Sequence, residues 1–354
     1  MLAATYPQDP ETDAPIGASQ VDVFTINIMR LGDERCKAPE ATLADALTFY
    51  LNERKRDEAP DALSRFEGTV KRIVGHVATA LGRDPVLIRM TREDASKVRD
   101  HMLDRVKSTG ERVKAASVAR DLNGLKAIIN FAATEMPLPS SFKNPFNKLS
   151  VGIVHGRAAD GELRNPLPAE VLSATRARIL TNAKPELGLV WRILEGTGCR
   201  LSEVTGLRVE DVDILGELPN VRVTWHENRR IKTNASRRFV PLVGDALEAA
   251  SEALKLHSSG NLLFPSYGRT RGGDAASAAL MKHVRAVTTD PKLVVHSLRH
   301  NMKDRLLLAE VTSLDQNLIL GHALGGVGDR VYGGDVAKLR VTTRAMKQAL
   351  AINS

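Results

Sequence analysis

The chain has 354 residues, 43% hydrophobic and 26% charged, which is enough to bury a sizeable core and to divide into two domains. Its formal net charge of +8 fits a polyanionic partner, although basic proteins without one are common. Two cysteines are too few for a disulfide framework or a cysteine-rich metal site, and no apolar run approaches the roughly 18 residues of a membrane span, so a reducing cytoplasm is expected and a membrane is not.

Residues 1–40 mix Pro, Asp, Thr and Gly and read as a leader, with residues 21–28 alternating like a single strand. From Thr42 the spacing becomes helical. Leu43, Ala46, Leu47, Tyr50 and Leu51 recur every three or four residues, and so do Val70, Ile73, Val74, Val77 and Leu81. Thr91 is a helix cap with Asp94 at the capping-box position, and Leu122, Leu125, Ile128, Ile129 and Ala132 form one stripe of a further helix. Residues 41–137 are therefore read as a helical bundle. Residues 138–167 are rich in Pro, Ser, Asn and Gly and read as a linker, leaving 168–354 as a second domain.

In the second domain an apolar helix over residues 187–194 breaks at Gly196-Thr-Gly198, just before Arg200, with Ser202 as the expected cap of the next helix. Val221, Val223 and Trp225 alternate with polar residues, and the run Arg237-Arg-Phe-Val-Pro-Leu242 follows, giving a small antiparallel sheet whose tip carries Arg229, Arg230, Lys232, Arg237 and Arg238. The rest is helical, ending in a short helix over residues 335–352 with Val336, Leu339, Met346 and Leu350 as its apolar positions. That tail has to bury its apolar face on a neighbouring copy or on its own domain.

Certain side chains in this domain suit metal-free phosphodiester chemistry. Arginine forks pair with phosphate oxygens, and His296 and Arg299, three apart on a helix, project from one face with His300 beside them. Taken alone, Arg200 with Glu203 reads as a structural ion pair, Lys232 as part of a solvated turn, His300 as a packed or exposed histidine and Tyr332 as a packing residue. Their order changes the reading.

Through Thr197-Gly-Cys-Arg-Leu-Ser-Glu203, Lys232-Thr, Arg237-Arg-Phe-Val-Pro-Leu242, His296-Ser-Leu-Arg-His300, Leu320-Gly-His322 and Tyr332, the chain from Pro168 onward resembles the tyrosine recombinase (phage integrase) family. The resemblance implies a mainly α protein with a small antiparallel β-sheet, arranged as a two-domain DNA clamp. A helical core-binding domain would be followed by an α+β catalytic domain with a C-terminal tail helix. It implies Tyr332 as nucleophile, Arg200 and Arg299 as phosphate ligands, His322 as a further donor, His296 as a proton handler and Lys232 as the acid that protonates the leaving 5′-oxygen. No cofactor or metal is called for.

The implied partners are double-stranded DNA, further copies of the chain in a tetramer on DNA, and accessory DNA-bending or directionality proteins. Lys114, Arg120 and Lys126 in the bundle, with Arg229 and Arg230 in the hairpin, are the expected DNA contacts. The integrase of a phage or other mobile element is the leading expectation. A chromosome-dimer resolvase of the same family is the alternative, followed by a type IB topoisomerase and by a DNA-binding relative without catalysis.

Overall fold

The computed structural model describes residues 6–9, 15–31, 40–55, 60–151, 164–229, 231, 236–256, 260–322 and 333–351. Two compact units divide the chain, Met1–Ala158 and Ala159–Ser354.

The first unit is helical: α1 (Gln20–Leu31), α2 (Leu43–Arg54), α3 (Pro60–Leu81), α4 (Arg92–Asp104) and α5 (Ala115–Glu135). The apolar stripes read from the sequence meet in its core. Leu43, Ala46 and Leu47 of α2, Val70, Ile73 and Val77 of α3 and Leu122, Leu125, Ile128 and Ile129 of α5 are all buried together. The Thr91 capping box closes on Asp94 at the start of α4 as the spacing predicts.

Two segments of this unit differ from expectation. Residues 21–28 are helical rather than extended, because Ser19 accepts the Asp22 N–H at 3.1 Å and caps α1. A local cap thus outweighs the period-two pattern. Residues 138–151, whose composition reads as linker, pack on the bundle: Phe146 is fully buried, and Arg92 donates to the carbonyls of Pro145 and Asn147, both at 2.7 Å.

In the second unit α6 (Ala169–Asn182) and α7 (Pro185–Thr197) lead into the short α8 (Leu201–Thr205). A three-stranded antiparallel sheet of β1 (Val212–Asp213), β2 (Asn220–Val223) and β3 (Arg238–Pro241) follows, in the order β1-β2-β3, with Val221 opposite Val240 and Val223 opposite Arg238. Then come α9 (Asp245–Leu256), α10 (Gly272–Arg285), α11 (Ser297–Leu308), α12 (Ser313–Leu320) and α13 (Asp335–Ala351). The mainly helical class with one small antiparallel sheet is thereby borne out. Around α7 the core is continuous: Val190, Trp191, Ile193 and Leu194 are buried with Val221 and Val240 of the sheet and Ala246, Ala249 and Ala250 of α9. Beyond Val223 the strand stops, and Trp225 is 55% exposed.

Helix α13 packs on its own unit. Its Ala345, Met346 and Ala349 join Met302 and Leu306 of α11 and Ile319 and Leu320 of α12 in a separate buried cluster. Of the four apolar tail positions, Met346 is fully buried whereas Val336 is 68% exposed. The cluster seals the end of α12, immediately before His322. Met346→Ala should therefore cost about 2–5 kcal/mol of stability, as other buried Met or Leu truncations do, read as a lowered urea midpoint of the second unit.

Candidate active site

Three chain breaks converge in the second unit. Helix α7 ends at Gly198, whose φ of 65° makes the left-handed turn that a side chain would resist; a Cβ there would also come within 2.7 Å of Met302. Two residues later Arg200 is itself the cap of α8. The cap expected at Ser202 lies one position inside the helix, because the Glu203 carboxylate already accepts the Arg200 N–H at 2.9 Å. Helix α12 ends in the same way at Gly321, φ 67°, which sends His322 back toward the site.

Glu203 holds the arrangement together. Its side chain is 3% exposed; one oxygen accepts from Arg200 Nη1 at 2.7 Å, and the other accepts from Nη2 of Arg238 at 3.0 Å. Burial alone would raise this carboxyl, but the charge and hydrogen bonds of Arg238, followed by those of Arg200, hold it down at about 2. Arg238 is likewise buried, and its Nε donates to the Ile319 carbonyl at 2.8 Å.

Arg299 projects from the first turn of α11 and is 6% exposed. Its Nη1 donates to the Gly198 carbonyl at 2.9 Å, and its Nη2 meets the Leu320 carbonyl and, at 2.9 Å, His322 Nε2. Burial, then repulsion from Arg200 and Arg238, lowers Arg299 to about 10, so it stays charged at neutral pH. For His322, burial followed by the charges of Arg299 and Arg200 brings the imidazole down to about 4, leaving it neutral. A guanidinium has no acceptor, so Nε2 is the acceptor in this contact and the ring proton rests on Nδ1.

His296 caps α11 and is exposed. Partial loss of solvent around its ring, then the neighbouring His300 and Arg299, lowers its pKa, and the His300 ring stands edge-on to it at 5.5 Å. Arg200, His296, Arg299 and His322 thus share one electrostatic neighbourhood, although the sequence spreads them over more than a hundred residues. Three guanidiniums, Arg200, Arg238 and Arg299, face one carboxylate, Glu203, so the cluster carries an excess of positive charge suited to an anion. Among the described residues no group of His, Cys, Asp and Glu is arranged to hold a metal ion.

The remaining sequence candidates fall elsewhere. Lys232, Arg230 and Tyr332 lie outside the described residues. Lys114 caps α5 and is exposed, Arg120 is exposed on the same helix, and Lys126 is half-buried. Arg229, expected to contact DNA from the hairpin, instead has a side chain closed off from solvent: it pairs with the buried Asp211 at 3.0 Å and donates to the Thr224 carbonyl at 2.9 Å. Its charge is neutralised inside the unit, which leaves none for a phosphate. His226 joins the same carboxylate at 2.9 Å.

Sequence reasoning missed Arg238. Its composition places it with the surface cations of the hairpin, but the alternation of β3 offers a signal: Arg238 and Val240 lie two apart and so on one face of the sheet, and Val240 is core.

Residues 172–326 match the model of the Phage integrase family. The chain is 24% identical over 283 residues to the tyrosine recombinase XerC of Pelobacter propionicus, spanning 77% of this chain and 84% of that protein. With the tyrosine recombinase XerD of Corynebacterium glutamicum it shares 30% identity over 132 residues, 37% of this chain and 42% of that protein. Among solved structures it resembles the Tn1549 transposon integrase in complex with a circular intermediate DNA, at TM-score 0.59 and 18% identity, covering 87% of this chain and 99% of that one. A lambda integrase tetramer bound to a Holliday junction gives TM-score 0.58 and 17% identity, covering 93% and 94%. At these identities the structural likeness is one of fold.

The depressed Glu203 carboxyl has a pH signature. Its ordinary value is 4.5 and its folded value about 2, so the stability it contributes is fully present above about pH 4.5 and is lost as pH falls toward 2. Glu203→Gln should flatten the acid side of the stability curve in that window, measured as urea midpoints across descending pH. An unchanged slope would mean the carboxylate is not held by its arginines.

Proposed function

Since this chain belongs to the tyrosine recombinase (phage integrase) family, we propose that it is a site-specific DNA recombinase, the integrase of a phage or other mobile element, which cuts and rejoins duplex DNA through a 3′-phosphotyrosine. The observation that carries this reading is the convergence of Arg200, Arg299, His296 and His322 from three separate helix ends onto one cationic cluster.

Each group has a chemical task. Attack on a phosphodiester builds charge on the nonbridging oxygens, and Arg200 and Arg299 meet it with fixed planar donors. Arg299 is already ordered by the Gly198 carbonyl, so little reorganisation is needed when a phosphate arrives. His322, neutral with its proton on Nδ1, offers a further N–H, and His296, its pKa lowered, takes a proton as the phenol attacks. Tyr332 is assigned the attack and Lys232 the protonation of the leaving 5′-oxygen. The phosphotyrosine conserves the energy of the broken bond, so a second 5′-hydroxyl can reverse the step without an external energy source.

Lys114, Arg120 and Lys126 of the first unit and Arg230 of the second would contribute contacts to the duplex. Further copies would assemble into a tetramer for strand exchange, with accessory DNA-bending or directionality proteins as additional partners. The similarity to XerC and XerD favours one second reading, a resolvase of chromosome dimers.

The deciding experiment traps the covalent complex. The protein is incubated with fragmented genomic DNA of its source, denatured, digested and the linked ends sequenced. A single recurrent junction is expected from the wild type and none from Tyr332→Phe. Linked DNA from that variant would place the nucleophile elsewhere, and none from the wild type would overturn the recombinase reading. A junction at the boundary of an inserted element supports the integrase, and one at a chromosomal resolution site supports the resolvase.

On the recovered duplex, Lys232→Ala should cleave about 10²- to 10⁴-fold more slowly than wild type, the usual worth of a general acid. Replacing the leaving 5′-oxygen by sulfur should restore the rate, since a thiolate departs without a proton. Failure of that rescue would remove Lys232 from the acid role.

A further inference from the structure

Arg238 reaches both sides of the cationic cluster. Toward α8, its Nη1 and Nη2 donate to the two carboxylate oxygens of Glu203 at 3.3 and 3.0 Å. Toward α12, its Nε donates to the Ile319 carbonyl at 2.8 Å, and toward its own strand Nη1 donates to the Ser236 carbonyl at 2.8 Å. The guanidinium passes so close to the end of α12 that a Cβ on Gly321 would lie 2.7 Å from Nη1. Gly321 is thus demanded twice, by its left-handed φ and by the cation beside it.

Glu203 in turn binds Arg200 through both its side chain and its backbone N–H. A buried carboxylate has to be neutralised. Without Arg238 the whole of that demand would fall on Arg200, whose fork would be drawn inward and away from an incoming anion. The same loss would free the carbonyl at the end of α12, one residue before the Leu320 carbonyl that meets Arg299 and three before His322.

We propose that Arg238 is a positioning residue for strand cleavage: it takes up the charge of Glu203 so that Arg200 remains available to the scissile phosphate, and it pins the end of α12 so that His322 and Arg299 stay in register with Arg200. The proposal rests on the recombinase reading above. A plain structural strut would lower stability without regard to the charge of the phosphate. A positioning role is sensitive to it.

The test uses the full chain and the duplex captured from the wild type, nicked beside the cleavage point so that the covalent complex accumulates. Arg238→Met, Glu203→Gln and the double variant are compared for half-site binding on native gels and for single-turnover covalent complex formation. The scissile linkage is either the normal phosphate or a neutral methylphosphonate. Arg238→Met is expected to bind within about threefold of wild type yet cleave the normal phosphate about 10²-fold more slowly, comparable to removing a transition-state donor. Adding Glu203→Gln should recover about 10-fold of that loss, because the stranded carboxylate is gone. On methylphosphonate the gap between Arg238→Met and wild type should shrink.

Equal slowing on both linkages, with no recovery in the double variant, would overturn the proposal, as would cleavage within about threefold of wild type. If Arg238→Met does not fold, Arg238→Lys decides. An ammonium can neutralise Glu203 but cannot hold both carboxylate oxygens and the Ile319 carbonyl at once, so normal cleavage by that variant overturns the proposal, and a phosphate-selective loss supports it. Failure of the wild type to form any covalent complex is a distinct outcome that overturns the recombinase reading itself.

Discussion

The catalytic unit is organised around one buried negative charge. Taking a carboxylate out of water is tolerable only where fixed cations and donors replace its hydration, and Glu203 finds them in Arg200 on one side and Arg238 on the other. From that requirement much of the geometry follows. Strand β3 has to run beside α8 to deliver Arg238, the end of α12 has to approach closely enough to share its guanidinium, and Arg200 has to sit at the cap of α8 where its own N–H also reaches Glu203. The apolar packing of α7 against α9 and the sheet supplies the platform, but the electrostatics of Glu203 set the register of the pieces on it.

A second buried carboxylate repeats the principle a short distance along the chain with a different result. Asp211 is enclosed by Arg229, Arg222 and His226 and also accepts the Arg208 backbone N–H at 3.0 Å, so its cluster fastens the exit of β2.

What was legible in the sequence divides along the same line. Helices declared by long-period stripes, such as α2, α3 and α5, formed as the spacing required, since their burial depends on the side chains' own chemistry. The motifs around Arg200, His296, Arg299 and His322 were legible as well, and the structure brings these four residues together. The fate of the hairpin cations was not. Arg229 and Arg238 are written in the same alphabet as Arg237, yet two are buried and Arg237 is exposed, because partners far along the chain, Asp211 and Glu203, decide which charge is taken inside. Composition misled at residues 138–151 for a related reason: a polar, proline-rich stretch still carried Phe146, and that buried ring together with the Arg92 hydrogen bonds anchors it.

The start of α13 has a mechanical consequence. Gly333, at φ +88°, and Gly334, with nothing near the space a Cβ would fill, stand between Tyr332 and a helix fastened to α11, α12 and β3. Glycine adopts backbone conformations closed to other residues, so two in series constrain the approach to the helix only weakly. The helix, packed on α11, α12 and β3, is thus a fixed anchor at the end of a loose approach, a tether rather than a hinge.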